Sequence, residues 1–126
     1  KNLIFSGEVS LDNNGGFASC RLGLNNVDLS GVESFKLRVK GDGKIYKFRV
    51  SERYGSTNYS SNFETKSGTW LDIEIPLKSL KPTFMGYYSR SSPKLKIENM
   101  KSIGFQISDK QEGEFNLEIM FVQANY

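Results

Sequence analysis

Few residues in this chain are equipped for chemistry, and their types narrow the possibilities quickly. There is no histidine, so the Ser/His/Asp and Cys/His arrangements that activate a nucleophile through an imidazole are excluded, as are Cys/His zinc sites. The single cysteine, Cys20, excludes an internal disulfide. It falls on the alternating row Ala18, Cys20, Leu22, Leu24 and is expected to pack as a small buried hydrophobe rather than attack a substrate. Asp72 and Glu74 share one strand face and Glu118 could lie opposite them, which is the residue set of carboxylate-driven glycoside cleavage. On a solvated strand face such acids more often pair with neighbouring Lys and Arg. Gly41-Asp42-Gly43 matches part of a phosphate or calcium loop, but no helix follows and acids at alternate positions are missing, so it reads as a turn. Asp109 and Glu112 are too few to specify a calcium ion. Neither a metal nor a cofactor is expected.

A second group of residues suits recognition. If Leu37 and Phe48 point inward, then Lys36, Arg38 and Lys40 stand outward beside Lys47, Arg49 and Ser51. Trp70, Asp72 and Glu74 occupy the corresponding face of another strand, and Ser19 with Arg21 that of a third. Tryptophan and arginine give large rigid contacts and planar hydrogen-bonding forks, which suit a protein partner or a sugar. A solvated sheet face laced with cross-strand ion pairs fits the same residues equally well. The candidate ligand-binding set is Arg21, Arg38, Arg49 and Trp70, with Tyr87 and Tyr88 from a loop. Tyr54, Tyr59, Tyr87 and Tyr88, with Arg53 and Arg90, are the only cluster resembling a base-stacking platform. Most other aromatics fall on core rows, so nucleic acid is not an expected partner; protein is the leading one and carbohydrate the alternative.

The elements that must carry these residues are strands. Period-two alternation runs through Leu3, Phe5, Val9 and Leu11, then Ala18 to Leu24, Phe35 to Val39, Tyr46 to Val50, Leu71 to Ile75, Ile103 to Ile107, and Phe115, Leu117, Ile119 and Phe121. Each set lines one strand face. Asn13, Asn14, Gly15 and Gly16 predict a hairpin joining the first two strands, and Gly41, Asp42 and Gly43 another between Lys40 and Ile45. A longer turn from Asp109 to Gly113 joins the last two strands. Pro76 ends a strand, and Pro82 and Pro93 bracket a loop. Short strands that all need their apolar faces covered imply an all-β, jelly-roll-like β-sandwich of two antiparallel sheets. The weakly patterned stretches Ser51 to Asn62 and Lys81 to Glu98 are expected to be loops, where binding commonly resides.

Composition agrees with one such domain spanning residues 1–126. A chain of 126 residues and 14.2 kDa, 37% hydrophobic and 25% charged, is neither disordered nor fibrous. The net charge of +3 is spread among interleaved acids and bases, a weak pointer to a polyanion. No apolar run reaches the length of a membrane span. Cysteine usage fits a reducing compartment, such as a bacterial cytoplasm or mitochondrial matrix. The chain opens at Lys1 already in strand-like sequence, so an upstream N-terminal segment is expected.

Several strings together carry a family resemblance. They are Phe5-Ser6-Gly7-Glu8-Val9-Ser10, Asn14-Gly15-Gly16-Phe17-Ala18-Ser19 followed by Arg21, and Leu37-Arg38-Val39-Lys40-Gly41-Asp42-Gly43 with Tyr46 and Phe48. Trp70 with Ile75-Pro76-Leu77, and the ending Ile103-Gly104-Phe105, Asp109-Lys110-Gln111, Gly113 and Phe115-Asn116-Leu117-Glu118-Ile119, complete the pattern. From Phe5 to about Ala124 the chain resembles the complex I intermediate-associated protein 30 family. That resemblance implies a galactose-binding-like β-sandwich, similar in architecture to carbohydrate-binding modules, with no catalytic residues to carry over. It also implies a chaperone-like role in respiratory complex I assembly, as for mitochondrial members. Two departures stand out: the glycine-rich stretch that precedes the first strand in members is missing, and Met120 and Phe121 replace an acidic residue followed by tryptophan.

Overall fold

The computed structural model describes residues 2–10, 16, 18–24, 29–53, 57–84, 87–88, 94–108 and 111–126. The described residues form two antiparallel sheets. The four-stranded sheet is ordered β1-β10-β3-β6, from β1 (Leu3–Val9), β10 (Gly113–Asn125), β3 (Ser34–Lys40) and β6 (Trp70–Pro76). The six-stranded sheet is ordered β2-β9-β4-β5-β7-β8, from β2 (Ala18–Gly23), β9 (Met100–Ile107), β4 (Ile45–Glu52), β5 (Asn58–Glu64), β7 (Lys81–Phe84) and β8 (Tyr87–Tyr88). Single 3-10 turns at Leu77–Ser79 and Ile97–Asn99 are the described helical segments. The expected all-β sandwich is the architecture found.

Alternation builds the core. Leu37 and Val39 of β3 and Leu117 of β10 meet Tyr46 and Phe48 of β4 and Phe105 and Ile107 of β9, all at 0% exposure. Rings interlock across the two sheets, Phe35 with Phe48 at 5.4 Å and Phe5 with Tyr46 at 6.5 Å between centroids. Such tilted and edge-on pairs add roughly 0.5–1.5 kcal/mol each beyond the area they bury. Cys20 is half-buried against this core, and burial raises its thiol pKa, which leaves it a packing residue.

Connectivity departs from expectation. The first two strands are not a hairpin: β1 pairs with β10 while β2 pairs with β9 in the other sheet. The Asn13 to Gly16 turn itself falls largely outside the described residues. Likewise β3 and β4 lie in different sheets, so Gly41-Asp42-Gly43 is an arch across the sandwich and not a hairpin turn. Turn residues dictate that the chain reverses, not which sheet the next strand joins. Crossing between sheets lets two successive apolar rows face each other instead of lying side by side. β9 and β10 are joined the same way.

Three further differences concern single strands. A bulge between Ile119 and Phe121 breaks the alternation of β10, leaving Phe121 opposite Arg38 and Met120 exposed, while Val122 and Ala124 take the core side; one extra residue reverses every side chain beyond it. The expected loop over Ser51 to Asn62 contains the end of β4 and most of β5. The loop bracketed by Pro82 and Pro93 contains most of β7 and all of β8, and its remaining residues are outside those described.

The arch between β3 and β4 is held by a dense polar knot. Gly43, at φ 92°, donates its N–H to Thr65 Oγ1 at 3.0 Å, and that hydroxyl donates to the Lys44 carbonyl at 2.7 Å. Gly41 must lack a side chain, because a Cβ there would run into Thr65. The Asp42 carboxylate accepts the Lys44 N–H at 3.1 Å, the buried Tyr46 hydroxyl at 3.1 Å and the Asn116 N–H at 2.9 Å. Since Tyr46 belongs to one sheet and Asn116 to the other, one side chain ties both.

Two outcomes follow. Asp42→Ala should lower unfolding free energy by about 3 kcal/mol, because a buried hydroxyl and a backbone N–H lose a charged acceptor together; denaturant titration reads this as a lower midpoint at unchanged slope, and a loss under about 1 kcal/mol would show that the knot is dispensable. The second concerns alkali. Burial, then the charge of Asp42 and its hydrogen bond, push the Tyr46 hydroxyl well above the ordinary tyrosine value. Burial and Glu52 shift Tyr59 the same way. A raised folded-state value favours the neutral phenol, so this stability is complete below about pH 10 and is lost as pH climbs toward the folded values. Phenolate absorbance from these two tyrosines should therefore appear only in step with loss of the β-sheet circular dichroism signal.

Candidate ligand-binding faces

On β3, β6 and the adjoining part of β10, outward cations and acids of the four-stranded sheet pair with one another. Arg38 Nη1 lies 3.0 Å from Asp72 Oδ1, Lys40 Nζ lies 3.8 Å from Glu118 Oε1, and Lys36 stands opposite Glu74 in register. The half-buried Trp70, opposite Lys40 at the end of β6, takes Lys40 Nζ at 5.2 Å and the Arg38 guanidinium at 5.7 Å over its ring. Cation–π contact and ion pairing therefore use the same two cations.

On the six-stranded sheet the outward rows have another character. Register sets Arg21 of β2 beside Gly104 of β9, Gly104 beside Arg49 of β4, Arg49 beside Ser60 of β5 and Ser60 beside Lys81 of β7. The next row runs through Gly23, Ser102, Ser51 and Asn58, and Ser51 and Ser102 share a hydrogen bond between their hydroxyls. A small depression of about 30 Å³ opens here, with Arg21 and Arg49 on its rim and Ser19, Asn58, Ser102 and Gly104 among its lining. Burial, and then the like charge of Arg21, hold the half-buried Arg49 guanidinium below the ordinary arginine value. Among the described residues, neither arginine has an acid within ion-pair distance.

The six candidate residues thus divide between opposite outer faces. Arg38 and Trp70 lie together on the four-stranded sheet, Arg21 and Arg49 on the six-stranded one. Tyr87 and Tyr88 form β8, whose backbone pairs with Phe84 and Thr83 at the far edge of the six-stranded sheet. Lys47 and Arg49 are accordingly not beside Lys36 and Arg38. Of the base-stacking cluster, Tyr59 is buried, Arg53 is exposed, and Tyr54 and Arg90 lie outside the described residues, as does Asp109. Asn58 and Ser60 were missed because β5 was read as loop; their only signal was Tyr59 and Phe63 spaced for one strand face. A larger groove of about 430 Å³ opens along the seam between β5 and β6, where Phe63, Leu71, Ile73 and Ile75 contribute its apolar wall.

The sequence profile described as Complex I intermediate-associated protein 30 matches residues 1–119. The chain belongs to the complex I intermediate-associated protein 30 family. A mitochondrial protein of that name from Mus musculus is 30% identical over 103 residues, 77% of this chain. Those residues make up 31% of the mouse protein, so the chain spans about a third of its length. Among solved structures, the family 11 carbohydrate-binding module of a cellulosomal cellulase of Clostridium thermocellum superposes with a TM-score of 0.66 at 18% identity, covering 94% of this chain and 81% of that one. The Clostridium thermocellum module in complex with a β-1,3-1,4-mixed-linked tetrasaccharide gives 0.65 at 19% identity, with 94% and 82% covered. These likenesses confirm the galactose-binding-like sandwich. Met120 and Phe121, which follow the matched residues, fall at the β10 bulge, with Phe121 opposite Arg38.

The ion-pair face should contribute little to stability. Asp72→Asn should cost less than about 1 kcal/mol at low salt, and the difference should vanish in molar salt; a larger, salt-insensitive loss in thermal unfolding would refute a merely solvated ladder.

Proposed function

We propose that the chain is a non-catalytic binding module of the complex I intermediate-associated protein 30 type, acting through protein contacts with intermediates of complex I. The family match over residues 1–119 carries this reading. The disposition of the acids supports it: Asp72 and Glu118 each face a cation, and Asp42 is consumed by the arch. Acid–base chemistry on a sugar needs a pair of carboxylates facing one substrate. A chaperone-like role, in which the sandwich holds an unfinished assembly while itself staying rigid, fits a domain whose loops are carried on two interlocked sheets.

Carbohydrate binding is the second reading, favoured by the likeness to a module solved with a tetrasaccharide. Against it, the Trp70 ring already carries two cations, and the described outward side chains of the six-stranded sheet include no aromatic platform. Affinity purification of the tagged chain from respiring cells, with mass spectrometry, should recover complex I subunits at stoichiometric levels. Specific glycan-array binding with no such subunits would replace this reading with the second.

A further inference from the structure

We propose that the Arg21–Arg49 depression is an oxyanion seat that takes a carboxylate side chain from an acidic segment of a protein partner. The inference rests on the protein-binding reading above and names the chemistry of the contact. Arg21 and Arg49 are two strands apart, about 10 Å between backbones, and Gly104 between them has no side chain. Long arginine side chains can reach across that gap, and both line the small depression there, where planar guanidinium forks suit a carboxylate.

Electrostatics says why the occupant is an anion. The half-buried Arg49 has Arg21 as its charged neighbour and, among the described residues, no acid within ion-pair distance, so a like charge faces a guanidinium already partly desolvated. An incoming carboxylate offsets both costs at once. The opposite face makes the contrast, since there each cation of the Arg38 and Lys40 pair has an acid. Lys81 continues the cationic row past Ser60, giving a linear track for consecutive acidic residues rather than a single point. Peptide is favoured over sugar because the lining includes Gly104, Ser51, Asn58 and Ser102, with no aromatic ring among the described residues there against which a pyranose could stack. It is favoured over nucleic acid for the same reason, because single strands require stacking surfaces beside the cations.

The test uses fluorescein-labelled deca-glutamate and anisotropy on the whole chain at low salt. Saturable binding is expected, weakened at least fivefold by Arg21→Gln and by Arg49→Gln and changed less than twofold by Arg38→Gln. All three variants lose one positive charge, so equal losses would mean non-specific attraction and overturn the proposal. Should Arg49→Gln fail to fold, exposed Arg21 keeps the test alive; Arg21→Gln should leave the melting temperature unchanged or slightly higher, whereas a structural role would lower it. Stronger binding of polygalacturonate or of a deoxyoligonucleotide than of the peptide, with the same arginine dependence, would assign the seat to another class and overturn the proposal as well. Recovery of complex I subunits by an Arg21→Gln, Arg49→Gln double variant as efficiently as by the native chain would remove the seat while leaving the protein-binding reading intact.

Discussion

The sandwich depends on a single carboxylate placed where the chain leaves one sheet for the other. Asp42 lies between β3 and β4, so it is covalently linked to both layers, and it binds a third strand, β10, through the Asn116 N–H. Its acceptance of the Tyr46 hydroxyl satisfies the polar end of a ring with no solvent exposure. Without that acceptor the largest side chain in the core would bury an unpaired hydroxyl, a cost comparable to that of losing a core methyl group or more. Glycines on either side make the arrangement possible: Gly43 supplies the left-handed turn, and Gly41 lets the Thr65 side chain approach closely enough to close the knot. The residue that most resembles part of an ion-binding loop is therefore the one least available to an ion.

Once the sheets are locked, everything on their outer surfaces follows from register. On β3 and β6, outward positions alternate with core positions one residue apart, and antiparallel pairing sets Arg38 against Asp72 and Lys36 against Glu74. On β4 and β9, the same geometry sets Arg49 against Gly104 and Ser51 against Ser102. Identical rules therefore yield one face whose β3 cations stand beside acids and one face whose arginines have no acid among the described residues. The difference lies in which residue types occupy the outward register positions, not in the fold.

Much of this was legible in the sequence, and the parts that were not share a cause. Phe35-Leu37-Val39, Tyr46-Phe48-Val50 and Ile103-Phe105-Ile107 announce their strands because alternation is a local property. β5 does not, because Asn58, Ser60, Ser61 and Asn62 dilute its two buried rings below any local threshold. The β10 bulge is invisible since neither Ile119 nor Met120 nor Phe121 is a residue that demands one. Sheet membership is a long-range choice: Asp42 finds Asn116 and β1 finds β10 across most of the chain. The candidate arginines are outward-facing as the alternation predicts, but the single shared face expected for them is divided between two sheets, since Arg38 lies on β3 and Arg21 and Arg49 on β2 and β4.

The arginine face persists because the backbone withholds an internal remedy. The position between Arg21 and Arg49 belongs to β9, where an aspartate or glutamate would neutralise both. Residue 104 cannot bear any side chain, since a Cβ there would run into the Cys20 carbonyl oxygen of the adjoining strand. The neighbouring outward positions on β9 are Ser102, already bonded to Ser51, and Gln106, which is neutral. Close approach of β2 to β9 thereby keeps an acidic side chain out of the position between the two arginines. Among the described residues no acid supplies a counterion for that gap.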